Sequence, residues 1–80
     1  MFVTLLGTSI PSPTARRIAT LSGRETDVLE GLVAGRANKA IAFDLGISAR
    51  TVEIYRANVM TKMKAASLSE LVRMVIVSRS

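Results

Sequence analysis

From Ser22 onward, apolar residues recur every three or four positions, the period of a helix with one buried face. Val28, Leu29, Leu32 and Val33 form the first stripe. Ahead of it, Ser22-Gly-Arg-Glu25 is a capping-box pattern, in which a hydroxyl and a carboxylate satisfy free backbone N–H groups. Gly35 supplies the stop, so a helix is expected from Gly23 to about Ala34. A shorter stripe, Ile41, Ala42 and Leu45, lies between Asn38, a good N-cap, and Gly46. Ile47 is the expected turn residue that plugs the core. Ser48 then caps a third helix, about 49–63, with Val52, Tyr55, Val59 and Met63 on one side. After a break near Ala65–Ala66, Ser67-Leu-Ser-Glu70 repeats the capping-box pattern and opens a fourth helix to about Val77. Strand-like alternation appears nowhere. The pattern predicts an all-α fold of four helices over residues 21–80. Residues 1–20, with Pro11, Pro13 and several Ser and Thr, read as an irregular N-terminal segment or linker. Within it, Arg16 and Arg17 make a candidate basic arm.

The second and third patterns, Asn38 to Ala57, form two short helices joined by a tight Gly-containing turn, the arrangement that presents one helix to a DNA groove. At about 100° per residue, Val52, Tyr55, Val59 and Met63 fall within one arc of about 80°, the face that must be buried. Opposite them lie Arg50, Glu53, Ile54, Ala57 and Thr61. In a major groove this mixture has a use. Arg donates to guanine, Glu accepts from the cytosine amine, and Ile54 or Ala57 meets a thymine methyl. The alternative is a core helix with an ordinary outer face, and periodicity alone leaves both open. Phosphate-capable groups bracket the mixed face: Lys39 in the preceding helix, Ser48 and Thr51 at the helix start, and Arg56, Asn58 and Lys62 along its edges.

Composition removes most other chemistry. There is no Cys and no His, which excludes disulfides, thiol nucleophiles, zinc fingers and imidazole catalysis. Six carboxylates remain, none clustered with ligand spacing, and no Gly-rich phosphate loop is present. No enzyme, cofactor or metal is expected. The net charge of +5 is unevenly spread. Residues 49–64 hold four cations and one carboxylate, whereas residues 22–48 hold three and four. The apolar start MFVTLLGTSI lacks the basic n-region of a signal peptide, and no run approaches the roughly 20 apolar residues that span a bilayer. The chain therefore reads as cytoplasmic and without a membrane partner.

Leu21-Ser-Gly-Arg24-Glu25-x-x-Val28-Leu29, Gly35-x-x-Asn38-Lys39-x-Ile41-Ala42 and Leu45-x-Ile47-Ser48-x-Arg50-Thr51-Val52-Glu53, followed by Arg56 and Lys62, resemble the LuxR/FixJ-type helix-turn-helix domain of bacterial response regulators. Tyr55 to Lys64 and Ser69 to Met74 carry a closer similarity to the FixJ branch. The resemblance runs from Leu21 to Ser80 without a gap. It implies the effector domain of a two-component transcriptional regulator, with promoter DNA as partner and Asn38 to Ala57 as the motif. It further implies base reading by Glu53, Ile54 and Ala57, phosphate contacts near Arg50, Thr51 and Lys39, and a fourth helix that pairs two protomers on DNA. RNA polymerase and a receiver domain are the implied further partners. In the fourth helix, Leu68, Leu71, Val72 and Val75 make the expected core stripe. Met74, Ile76 and Val77 lie beyond it and are the expected dimer contacts. The alternatives from the residues are a protein-interaction module acting through the fourth helix, or a sigma-factor-like promoter-binding domain.

Overall fold

The computed structural model describes residues 12–80, so the readings made for Met1 to Ile10 lie outside it. The described residues form helices and turns only: α1 (Pro13–Ile18), α2 (Gly23–Val33), α3 (Asn38–Leu45), α4 (Ala49–Met63) and α5 (Leu68–Ser78). The all-α expectation holds, with the four predicted helices close to their predicted bounds. Helix α1 is additional. Ser12 caps it, its hydroxyl accepting from the Ala15 N–H, and Pro13 sits at the first position, where a missing N–H loses nothing.

Side-chain and glycine chemistry sets the ends. The Ser22–Glu25 capping box is complete. Helices α2, α3 and α4 close in the same way, by paired bonds from two consecutive residues just past the helix. Arg36 and Gly35 N–H donate to Gly31 and Leu32 carbonyls, Ile47 and Gly46 to Ala42 and Phe43, and Ala65 and Lys64 to Met60 and Thr61. This closure needs a left-handed residue. Gly35 and Gly46 supply it freely at φ 80° and 69°, but Lys64 adopts φ 56° with a side chain attached, a conformation that costs an L-residue about 1 kcal/mol.

Two expected caps differ. Ala37, not Asn38, is the N-cap of α3 and makes no side-chain cap bond. The Asn38 side chain is drawn away instead, its Oδ1 accepting from the Arg56 guanidinium at 3.3 Å. At α5 the Ser67 hydroxyl accepts from Glu70 N–H, but the Glu70 carboxylate accepts from Ala66 N–H rather than from Ser67. The reciprocal half of that box is thus displaced by one residue.

The core joins Val28, Leu29 and Leu32 of α2, Ile41 and Ala42 of α3, Val52, Val59 and Met63 of α4, and Leu71 and Val75 of α5. Tyr55, Leu45 and the turn residue Ile47 pack half-buried around it. Leu68 and Val72, expected in the core stripe of α5, lie outside the core: Leu68 is exposed and Val72 half-buried. Both sit beside the buried stripe, on a groove shared with Leu32 and Val33 of α2.

Gly31, in the middle of α2, lies directly against Ile41 of α3. A Cβ there would stand 2.7 Å from Ile41 Cγ1 and 2.8 Å from Cδ1. Alanine would gain about 0.5–1 kcal/mol of helix propensity, but the clash costs about 1–3 kcal/mol. Gly31→Ala is therefore expected to lower unfolding free energy by about 1–2 kcal/mol in urea titrations. A more stable variant would show that Ile41 moves aside freely.

Candidate nucleic-acid interface

Helix α4 is fixed along one side and free along the other. Val52, Val59 and Met63 have no exposed surface, while Arg50, Glu53, Ile54, Ala57, Asn58 and Thr61 are all exposed. The angular prediction for the two faces is met. Ile54 retains 53% of its surface, a large apolar side chain facing outward beside Glu53 and Ala57. Glu53 enters none of the ion pairs among the described residues, so its carboxylate is open to an external donor.

Helix α3 packs across α4, and the turn Gly46-Ile47-Ser48 holds the two at a fixed angle. Lys39 stands exposed in the first turn of α3. At the start of α4, the Ser48 hydroxyl accepts from Thr51 N–H at 3.1 Å and lies 2.9 Å from the Thr51 hydroxyl. These two hydroxyls thus order the helix start, where free N–H groups favour an anion. Arg56 lies half-buried toward α3 and is aimed by its bond to Asn38. A cleft lined by Arg36, Asn38, Lys39 and Arg56, among others, has a volume of about 530 Å³ and brings three cations together beside the motif, Arg36 being paired with Asp44.

Lys62 sits differently from the other expected phosphate contacts. Its ammonium donates to Glu25 Oε1 at 2.8 Å, and the Glu25 side chain is only 6% exposed. The same carboxylate oxygen accepts the Ser22 N–H of the α2 capping box at 2.9 Å. Glu25 thereby ties the start of α2 to the last turn of α4. Nothing local in the sequence marks this partnership, since 37 positions separate the two residues. Asn38 as an acceptor for Arg56 was equally hidden, because its N-cap chemistry offered a sufficient local role.

Of the three residues expected at a dimer face, the geometry separates one. At about 100° per residue, Leu68, Val72 and Ile76 share one side of α5, while Met74 falls about 160° from Ile76. Met74 is half-buried and, with Ser12 and Thr14, lines a groove beside α1. Ile76 and Val77 keep 52% and 66% of their surface. They border a shallow apolar groove of about 550 Å³ together with Leu32, Val33, Leu68 and Val72.

Two helices joined by a tight turn, the second packed along one side and free along the other, form a helix-turn-helix arrangement. Residues 19–75 match the family described as bacterial regulatory proteins, luxR family, and the chain belongs to that family. It is 70% identical over 67 residues to the transcriptional regulatory protein FixJ of Azorhizobium caulinodans, covering 84% of this chain and 32% of that protein. It is 46% identical over 54 residues to the response regulator protein TodT of Pseudomonas putida, covering 68% of this chain and 24% of that one. Full-length FixJ from B. japonicum superposes with a TM-score of 0.78 at 59% identity, over 82% of this chain and 32% of that structure. The chain thus spans about a third of the length of these FixJ relatives.

The Glu25 site makes a pH prediction. The Lys62 ammonium, then the Ser22 N–H, hold the Glu25 carboxylate below its usual pKa against the opposing effect of burial. A depressed folded-state pKa adds stability that is full above the unfolded value, about 4.3, and is lost as pH falls below it. Glu30, lowered by its hydrogen bond from Arg79, acts in the same direction. Urea midpoints followed from pH 7 to pH 3 should therefore fall more steeply in the wild type than in Glu25→Gln. Identical pH slopes would remove Glu25 from the acid response.

Proposed function

We propose that this chain is the effector domain of a cytoplasmic two-component response regulator that binds promoter DNA and regulates transcription. Residues 21–80 form the DNA-binding unit, with residues 38–57 as its motif and residues 1–20 as an accessory segment or linker. The observation that carries this reading is the exposed Arg50–Glu53–Ile54–Ala57 face on a helix whose other side is buried at Val52, Val59 and Met63. Glu53, Ile54 and Ala57, with Arg50, read base edges. Lys39, Ser48, Thr51, Arg56 and Asn58 hold the backbone. Lys62, committed in part to Glu25, adds its positive field. FixJ and TodT are named as regulators, which supports a receiver domain in the intact protein and RNA polymerase as a downstream partner.

Selection of preferred sites from random duplex DNA tests the reading. Glu53→Ala and Ile54→Ala should change the selected sequence. Lys39→Gln should weaken all sites more evenly, lowering the magnitude of the salt slope by about 1. With roughly four to six phosphates contacted per protomer, the log–log slope should be about −4 to −5. An unaltered preference in both Glu53→Ala and Ile54→Ala would remove α4 as the reading helix.

Two protomers pair on DNA through α5, using Ile76 and Val77 together with Leu68 and Val72, under two-fold symmetry that matches an inverted repeat. Met74 belongs to the α1 contact. Sedimentation on a two-site duplex should show two protomers per DNA for the wild type, and Ile76→Asp should bind the two sites independently. One protomer per duplex at saturation would refute pairing. The apolar groove on α5 also favours a second reading, a module acting by protein–protein contact alone, which absence of any duplex binding would support.

A further inference from the structure

Of the eleven Lys and Arg residues, Arg24, Arg36, Lys62 and Arg79 are paired with carboxylates. Three of the remaining cations, Arg16, Arg17 and Lys64, gather with Lys62 around one cleft of about 410 Å³ at the C-terminal end of α4. No acidic residue lines it. Like charges held this close repel, and nothing within the described chain but Glu25, already committed to Lys62 and Ser22, offsets them. A helix C-terminus does attract cations, and Arg17 donates to the Met63 carbonyl at 3.5 Å. That accounts for Arg17 alone. Arg16 is exposed and makes no ion pair among the described residues. Lys64 occupies the left-handed position that glycine fills in the two other helices closed this way, a costly place for a lysine with no partner in the fold.

We propose that Arg16, Arg17 and Lys64 form an anion site for the sugar–phosphate backbone, lying outside the base-reading contact and contributed jointly by α1 and the end of α4. The inference rests on α4 being the reading helix. A recognition helix contacts base edges through its N-terminal residues, and α4 runs on for fifteen residues, about 22 Å. Its C-terminal end therefore lies beyond the reading contact, and the cleft is continuous with that end. Helix α1 brings Arg16 alongside, extending the footprint beyond the four-helix unit. Continuity with α4 favours DNA over an acidic protein surface.

The test uses the full chain and the duplex it selects from random DNA. Arg16→Gln and Lys64→Asn are the variants, since Arg16 is exposed and Asn accepts the left-handed backbone. Arg24→Gln, an equal charge change at the Asp27 pair, is the control. The double variant should lower the magnitude of the salt slope by about 1–2 and leave the selected base sequence unchanged. Arg24→Gln should leave the slope unchanged. Trimming the duplex on the side facing the cleft should weaken the wild type to the level of the double variant and weaken the variant no further. A double variant with the wild-type slope, or an equal loss in Arg24→Gln, would overturn the proposal. So would a patch that captures an acidic protein while the DNA slope stays fixed. A wild type that binds no duplex at low salt would instead defeat the helix-turn-helix reading itself.

Discussion

Everything in this domain depends on α4 being held along one stripe. Val52, Val59 and Met63 are completely buried, and α4 packs against each of the other four helices. A helix in that position would ordinarily be apolar most of the way round. Here the central helix of the core is also the helix with the free face. The two demands are reconciled by angle: the buried residues occupy a narrow arc, and the neighbouring helices crowd that side. A domain of this size has little core to spare, so the free face is available only because the buried arc is covered by side chains from α2, α3 and α5.

Charge is sorted along the same division. Arg24–Asp27, Arg36–Asp44 and Arg79–Glu30 neutralise one another on surfaces away from the α4 outer face, each at about half exposure, where such pairs contribute little stability. Their effect is to reduce the positive potential at those places. Of the seven cations without an ion pair among the described residues, Lys39, Arg50 and Arg56 lie around the motif, Arg16, Arg17 and Lys64 at the end of α4, and Arg73 on α5. Net charge would give only weak, undirected attraction to a polyanion. Pairing on one side converts it to a directed field, which orients the encounter before any base is read.

Local chemistry made most of the fold legible. The capping Ser residues, the glycines at Gly35 and Gly46, and the apolar periods located four helices because each acts within a few residues. The two faces of α4 were legible for the same reason. What escaped was settled by distant partners. Asn38 gave up its cap to meet Arg56, and Glu25 took on Lys62, both pairings across the fold with no local signature. Helix α1 escaped because six residues bearing a proline carry too short a pattern to register a period, and its helicity depends on the surface offered by α4 and α5. On α5, sequence showed excess apolar surface but could not divide it. Only the docking of α1 shows that Met74 is covered from within while Ile76 and Val77 stay exposed.

That division bears on how pairing is controlled. One face of an eleven-residue helix, with its rim from α2, offers a contact at the small end of specific interfaces. Such a contact is too weak to hold two free protomers together at ordinary concentrations, given the translational and rotational freedom lost on association. Two half-sites on one duplex supply that loss in advance by raising the effective concentration of each protomer near the other. For the proposed pairing, a weak α5 face is therefore better suited than a strong one. It would leave the domain monomeric off DNA and let the spacing of the half-sites decide where two copies stay.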